Sequence, residues 1–410
     1  MSGRKRPAGG EAGRGRHRSS PLTVNSLCGC AEKRRLMVTM GPIQVMLKPA
    51  SGTCNLRCRY CFYADETEKR STASYGMMST ETLEAVLGQM LAAAGRSCSI
   101  LFQGGEPTLA GLPFFEEAVR MSRRLNRGGC RVSFALQTNG LLIDEDWCRF
   151  LAEHHFLVGV SLDGTKDIHD ANRIDAAGNG SYSRVMHALQ LLKNHGVDTN
   201  ILTVVTAHTA RNYQKIYGFF ARNGFTYQQY IPCLDPLGEE RGQRPWSLSP
   251  AQFERYLKTA FDCWYRDAMA GHKKYHGYFD NLLLMLGGQS PGTCGMLGRC
   301  ARQYVVEADG GVYPCDFYVL DRYRLGDLRT DTVAQIDARR QELGFIEESA
   351  AAAEECRGCR WKNLCRGGCR RDRDFFAGGI QKNYYCSAYQ AFLSYAYPRL
   401  AEVYRRLCGA

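Results

Sequence analysis

The stretch from Lys48 to Tyr63 constrains this chain most: Lys-Pro-Ala-Ser-Gly-Thr-Cys-Asn-Leu-Arg-Cys-Arg-Tyr-Cys-Phe-Tyr. Its cysteines, Cys54, Cys58 and Cys61, form a C-x3-C-x2-C array. Three thiolates this close can grip one face of a cubane iron–sulfur cluster and leave the fourth iron open. A closed electron-transfer cluster uses four cysteines. A structural zinc site also needs four ligands, and no His or Cys follows Cys61 within twenty residues. The aromatic residues Tyr60, Phe62 and Tyr63 suit a cofactor pocket better than a zinc knuckle.

From residue 43 to about 235, short apolar runs alternate with amphipathic ones. Strands are predicted at 44–50, 98–103, 131–137, 157–162, 200–206 and 227–233. Between them, 79–92 reads as a helix behind a Ser79 cap, with Leu83, Val86, Leu87, Met90 and Leu91 on one face. The segment 182–195 repeats the pattern with Val185, Ala188, Leu189 and Leu192, and Gly196 stops it. Six successive strand–helix units imply a parallel sheet with right-handed crossovers. Six rather than eight imply an α/β fold of the partial (β/α)6 barrel kind, with ligands at the carboxyl ends of the strands. The polar, glycine-bearing segments fall at those ends: the cysteine array, Gln103-Gly-Gly-Glu-Pro-Thr108, Gln137-Thr-Asn-Gly140, Ser161-Leu-Asp-Gly164 and Pro232-Cys-Leu-Asp-Pro236.

The cysteine array and the Gly104-Gly105-Glu106 segment resemble the signature of the radical S-adenosylmethionine (AdoMet) superfamily. The resemblance implies that the open iron chelates the amino and carboxylate groups of AdoMet. It puts AdoMet contacts on Tyr60, Gly105, Ser161, Arg173 and Leu234. Without it, a surface salt bridge would be the ordinary reading of Arg173.

Cysteines return at Cys294, Cys300, Cys315, Cys356, Cys359, Cys365, Cys369 and Cys386, enough thiolates for two closed clusters. Tyr304 to Pro314 alternates around an Asp309-Gly310 turn, a β-hairpin that delivers Cys315 at its end. The region resembles the SPASM domain of radical AdoMet enzymes that modify peptides. From the resemblance come interleaved ligand sets: Cys294, Cys300, Cys315 and Cys369 for one auxiliary cluster, Cys356, Cys359, Cys365 and Cys386 for the other. The cofactors implied are three [4Fe-4S] clusters and AdoMet.

Together, Lys48 to Tyr63, Gln103 to Gly111, Tyr313-Pro-Cys-Asp-Phe-Tyr-Val-Leu320, Cys365-Arg-Gly-Gly-Cys-Arg-Arg371 and Asn383-Tyr-Tyr-Cys386 resemble the anaerobic sulfatase-maturating enzymes. That family implies oxidation of a Cys or Ser in a sulfatase polypeptide to Cα-formylglycine. AdoMet cleavage supplies a 5′-deoxyadenosyl radical, which takes a hydrogen from Cβ of the target residue. The substrate must then lose a proton and an electron. Asp316, next to Cys315, is the expected base, and Tyr63 is expected to help place the peptide. A same-fold alternative is a SPASM enzyme that forms thioether or carbon–carbon crosslinks in a ribosomal peptide. Reduced ferredoxin or flavodoxin is the expected electron donor.

The formal net charge of +12 invites a nucleic-acid reading, but its distribution opposes one. Residues 1–42 hold nine Lys/Arg against two acids, so the rest of the chain carries only +5. That tail is Gly-, Arg- and Ser-rich and reads as disordered, with Met37 or Met40 a candidate start. No apolar run of eighteen residues suggests a membrane span. Clustered cysteines without a signal peptide fit a cytoplasmic metalloprotein better than a disulfide framework. The expected organisation is a tail to 42, the barrel over 43–235, a helical connector over 236–290 with an aromatic face, a SPASM domain over 291–390 and a terminal helix over 391–410.

Overall fold

The computed structural model describes residues 42–272, 274–373 and 382–408. The tail read as disordered lies, apart from Pro42, outside them, as do Cys28 and Cys30. Six strands follow the predicted ones to within about two residues at most ends: β1 Ile43–Leu47, β2 Ser97–Phe102, β3 Arg131–Thr138, β4 Leu157–Ser161, β5 Asp198–Val205 and β6 Tyr227–Pro232. Each lies parallel to the next.

Local chemistry sets these elements. Ser79 Oγ accepts the Thr82 N–H at 3.2 Å and caps the helix Thr80–Ala93. That helix buries Leu83, Val86, Leu87 and Met90 in one core with Val45, Leu47, Ile100 and Phe102. Each such side chain contributes about 1.5–3 kcal/mol on leaving water. The inner strands carry apolar residues because helices cover the sheet.

The sheet extends beyond six strands. β7 (Tyr275–His276) adds parallel to β6, and β8 (Tyr304–Val306) adds parallel to β1. β9 (Gly311–Tyr313) and β10 (Gly326–Asp327) follow antiparallel, giving the open order β10-β9-β8-β1-β2-β3-β4-β5-β6-β7 among the described residues. The predicted hairpin therefore continues the barrel's own sheet, with Val45 opposite Tyr304 and Leu47 opposite Val306. Its turn relies on Gly310, at φ +86°, whose N–H reaches the Glu307 carbonyl at 2.9 Å.

Residues 236–290 hold the helices Pro250–Met269 and Gly277–Leu286, with β7 between them, so this stretch gives the sheet a strand as well as helices. Phe253, Tyr256, Leu257, Phe261 and Trp264 share a second core with Phe279, Phe392 and Leu400. Trp246 stays only half-buried. The terminal helix runs Cys386–Cys408, so it starts before residue 391 and Cys386 is its first residue. No helix among the described residues is long and apolar enough to cross a membrane.

Candidate active site and cysteine groups

β1 runs directly into the cysteine loop. Two backbone bonds tie that loop to the segment after β4: Arg57 N–H donates to the Ile174 carbonyl at 2.7 Å and Arg59 N–H to Asn172 at 3.0 Å. A third comes from the end of β2, where Glu106 N–H donates to the Thr53 carbonyl at 2.8 Å. Gly105 makes this approach possible, since a Cβ there would sit 2.0 Å from the Thr53 oxygen. Glu106 is buried and accepts from Thr108 Oγ1 (2.7 Å), Thr138 Oγ1 (2.6 Å) and Asn139 N–H (2.7 Å), so one carboxylate ties the ends of β2 and β3 together. Burial still pushes its carboxyl up, against these bonds.

Cys54, Cys58 and Cys61 lie within electrostatic reach of one another. Burial raises the Cys54 thiol to about 11 and the Cys58 thiol to about 12, while Arg173 draws Cys58 down. The shift reports enclosure, which the core thiol of Cys98 shares; what suits ligation is three thiols close together at one strand end. Arg173 Nη1 reaches Cys58 Sγ at 3.9 Å, and Asn139 Nδ2 reaches Cys54 Sγ at 3.9 Å.

Arg173 is not a surface residue. It is buried, and its Nε donates to Asp163 Oδ2 at 3.0 Å. Tyr60 donates its hydroxyl to the same carboxylate, and Val204 N–H donates to Asp163 Oδ1 at 3.0 Å. Sequence reasoning found Tyr60 and Arg173 but passed over Asp163, which joins them. Ser161 closes β4 and accepts from Gln137 Nε2 at 3.3 Å. Leu234 follows β6 at the same end of the sheet, half-buried beside the buried Cys233.

Asp316 is not a solvated turn residue either: it is 8% exposed. Lys48 Nζ donates to Oδ1 at 2.5 Å and Gln103 Nε2 to Oδ2 at 2.7 Å. Lys48 Nζ also lies 3.8 Å over the Tyr63 ring. The Tyr63 hydroxyl donates to Glu307, which Arg70 Nη1 pairs at 2.8 Å. Glu66 is a second buried carboxyl here, and its pKa is raised well above the usual range, first by burial and then by the Asp316 charge. Of these residues, the sequence reading singles out Asp316 and Tyr63. Lys48, Gln103, Glu66 and Glu307 were given no role, although Lys48 and Gln103 stand inside the quoted motifs.

The eight later cysteines divide into two groups. Cys294, Cys300, Cys315 and Cys369 all influence one another electrostatically, and burial pushes Cys315 and Cys369 far up. Cys365 and Cys386 do the same with Cys356 and Cys359. This second group lines a cavity of about 270 Å³ with Gly367, Asn383 and Gln390. That volume suits a group of several atoms. Among the described residues, no three His, Cys, Asp or Glu side chains close round a point as the ligands of one ion do. Gln390 Nε2 reaches Cys386 Sγ at 3.6 Å, and Gln303 Nε2 reaches Cys294 Sγ at 3.9 Å. Such donors orient a ligating sulfur and tune its basicity.

The C-terminal region is bolted to the loop after β6. Arg371 Nη2 donates to the Asp235 carbonyl at 2.7 Å, and Arg241 Nη2 donates to the Arg371 carbonyl at 2.7 Å. Arg241 also pairs with Asp372 Oδ1 at 3.2 Å.

Residues 49–220 match the radical SAM superfamily and residues 294–360 match an iron–sulfur cluster-binding domain of the SPASM type. A cysteine-type anaerobic sulfatase-maturating enzyme of Clostridium perfringens is 47% identical over 367 residues, covering 89% of this chain and 99% of the relative. A serine-type anaerobic sulfatase-maturating enzyme of Bacteroides thetaiotaomicron is 30% identical over 87% of this chain and 90% of the relative. The solved structure of native anSMEcpe with bound AdoMet and Cp18Cys peptide superposes with a TM-score of 0.85 at 46% identity, over 89% of this chain and 99% of that one. Near-full-length identity of this order, with both domain types matched along the chain, means that the chain belongs to the anaerobic sulfatase-maturating enzymes, radical AdoMet enzymes with a SPASM domain.

Proposed function

We propose that the chain oxidises a cysteine of a sulfatase polypeptide to Cα-formylglycine, with Asp316 as the base. One observation carries this reading. Asp316 is buried beside the auxiliary ligand candidate Cys315 and is held by Lys48 and Gln103, the residues that directly follow β1 and β2. A carboxylate so placed can take a proton while the neighbouring group takes an electron. The higher identity to the cysteine-type relative than to the serine-type one supports cysteine as the target.

Cys54, Cys58 and Cys61 would hold the open [4Fe-4S] cluster. AdoMet would lie against Tyr60, Gly105, Ser161, Arg173 and Leu234. When bound, cluster and AdoMet supply the radical that takes a hydrogen atom from the substrate Cβ. Arg173 offers charge for a carboxylate, and Asp163 keeps that guanidinium in place. Asp316 receives the proton lost with one electron as the Cβ–S bond becomes double. Water then replaces sulfur, leaving the aldehyde and hydrogen sulfide. The two four-cysteine groups would hold the clusters that receive the electron, and Tyr63, braced on Glu307, would border the peptide. The polypeptide substrate enters as an unfolded segment, a reduced ferredoxin or flavodoxin supplies electrons, and the oxygen-sensitive clusters suit an anaerobic cytoplasm.

The test is anaerobic incubation of the reconstituted protein with AdoMet, a reductant and sulfatase-motif peptides bearing Cys or Ser, read by mass spectrometry. Formylglycine and 5′-deoxyadenosine are expected together, faster with Cys. AdoMet cleavage with an unchanged peptide would remove the substrate assignment. Asp316→Asn is expected to keep AdoMet cleavage and lose product roughly 10²–10⁴-fold.

A further inference from the structure

Lys48 is fully buried, at 0% exposure. Lysine is almost never buried to this depth unless paired. Its partner is Asp316, 268 positions away, at 2.5 Å from Nζ to Oδ1. The other carboxylate oxygen, Oδ2, takes Gln103 Nε2 at 2.7 Å. Each oxygen is thus gripped by a different strand end, β1 on one side and β2 on the other. One donor would leave the carboxylate free to turn about its own bonds; two donors on two oxygens fix its plane.

Lys48 is itself held on both sides. Its ammonium lies 3.8 Å from the centre of the Tyr63 ring. Its methylene stem runs through the space that the missing side chain of Gly104 leaves, at φ +105°; a Cβ on Gly104 would stand 2.6 Å from Lys48 Cγ. The same glycine is next to Gly105, which lies against the cysteine loop.

We propose that Lys48 is a positioning residue for the oxidation: lodged in the Gly104 slot, it sets with Gln103 the plane and lone-pair direction that Asp316 presents to the substrate. The proposal rests on the reading of Asp316 as the base. Among the described residues, Lys48 makes no hydrogen bond to the cysteine array or to the AdoMet-side residues Tyr60 and Arg173. The ammonium, which meets Asp316, acts on the proton-loss step; the stem, which fills the Gly104 slot beside Gly105, is kept in Lys48→Met, so that variant leaves radical formation alone. A purely architectural tie between the barrel and the C-terminal region would behave differently, because its loss would weaken cluster loading and AdoMet cleavage as well.

The test uses the full-length, cluster-loaded protein with Lys48→Met, which keeps the stem and removes the ammonium. Iron content and the rate of 5′-deoxyadenosine formation are expected to stay near wild type. Formylglycine formed per 5′-deoxyadenosine is expected to fall roughly tenfold to a hundredfold, the scale of a misplaced catalytic group. In an Asp316→Asn background, Lys48→Met should cause no further fall, since both act through one carboxylate. A parallel fall of iron, AdoMet cleavage and product, or additive losses in the double variant, would overturn the proposal. Lys48→Gln, which keeps a donor, is the second variant if the methionine form does not fold. A wild-type protein that cleaves AdoMet without making formylglycine refutes the function reading instead. The anaerobic crystal structure of the Lys48 variant then decides this inference: Asp316 swung off Gln103 supports it, and an unmoved carboxylate overturns it.

Discussion

His169 lies with no exposure behind the Arg173 pocket. Its Nδ1 accepts the Asp163 N–H at 3.3 Å, so the proton sits on Nε2, 2.8 Å from Ser181 Oγ; that hydroxyl in turn donates to the Arg173 carbonyl at 3.0 Å. Burial lowers its pKa from 6.5 to about 4. A histidine with a depressed folded pKa favours the fold in its neutral form. Its contribution is therefore complete above about pH 6.5 and is lost as the pH falls towards 4. The size is about 3 kcal/mol. Thermal melts at pH 7.5 and 5.0 should show a larger acid loss in the wild type than in His169→Gln; equal losses would discount the histidine. Gly105→Ala is expected to disrupt the cysteine loop, because its Cβ would need to pass within 2.0 Å of the Thr53 oxygen. Measured AdoMet affinity should collapse with it. At this scale the sequence exposed what is spelled locally. Cys54, Cys58 and Cys61 stand within eight positions and could be read together. Lys48 and Asp163 could not, because their meaning comes from Asp316, 268 positions away, and from Tyr60, 103 positions away. The interleaved cysteine groups were legible only through resemblance, since spacing would have joined Cys356 to Cys369.

Among elements, the helix Pro250–Met269 shows how local signals act. Ser249 Oγ takes the Gln252 N–H at 3.3 Å, while Gln252 Oε1 takes the Ser249 N–H at 2.9 Å. Ser249→Ala should cost about 1 kcal/mol in denaturant unfolding of this region; no measurable change would mean that the aromatic core alone sets this end. The six barrel strands were legible because period, length and turn residues agree within each segment. The hairpin was legible as well, from its Asp309-Gly310 turn. Its place in the sheet was not, because parallel pairing of β1 with β8 leaves no mark in either strand's sequence. β7, two residues long, is too short to carry a period and was read as part of a helical stretch.

At the scale of the whole molecule, the chain carries three cysteine groups. Anaerobic reconstitution should give about twelve irons per chain, three cubanes. Replacing Cys356 and Cys359 by alanine should lower that to about eight while AdoMet is still cleaved; about four irons in the wild type would refute the auxiliary sites. Removing residues 1–39 should leave the iron content and turnover unchanged, because the described sites lie outside that stretch, which holds most of the excess positive charge.

The β8 strand on β1 has one more consequence. An open sheet offers its edge to any other chain, and here Val305 and its neighbours occupy the edge beside the cysteine loop. The radical half and the cluster half are therefore not interchangeable parts. A chimera joining this barrel to the C-terminal half of another enzyme must reproduce the Val45–Tyr304 register, or it will bare β1 and associate into aggregates.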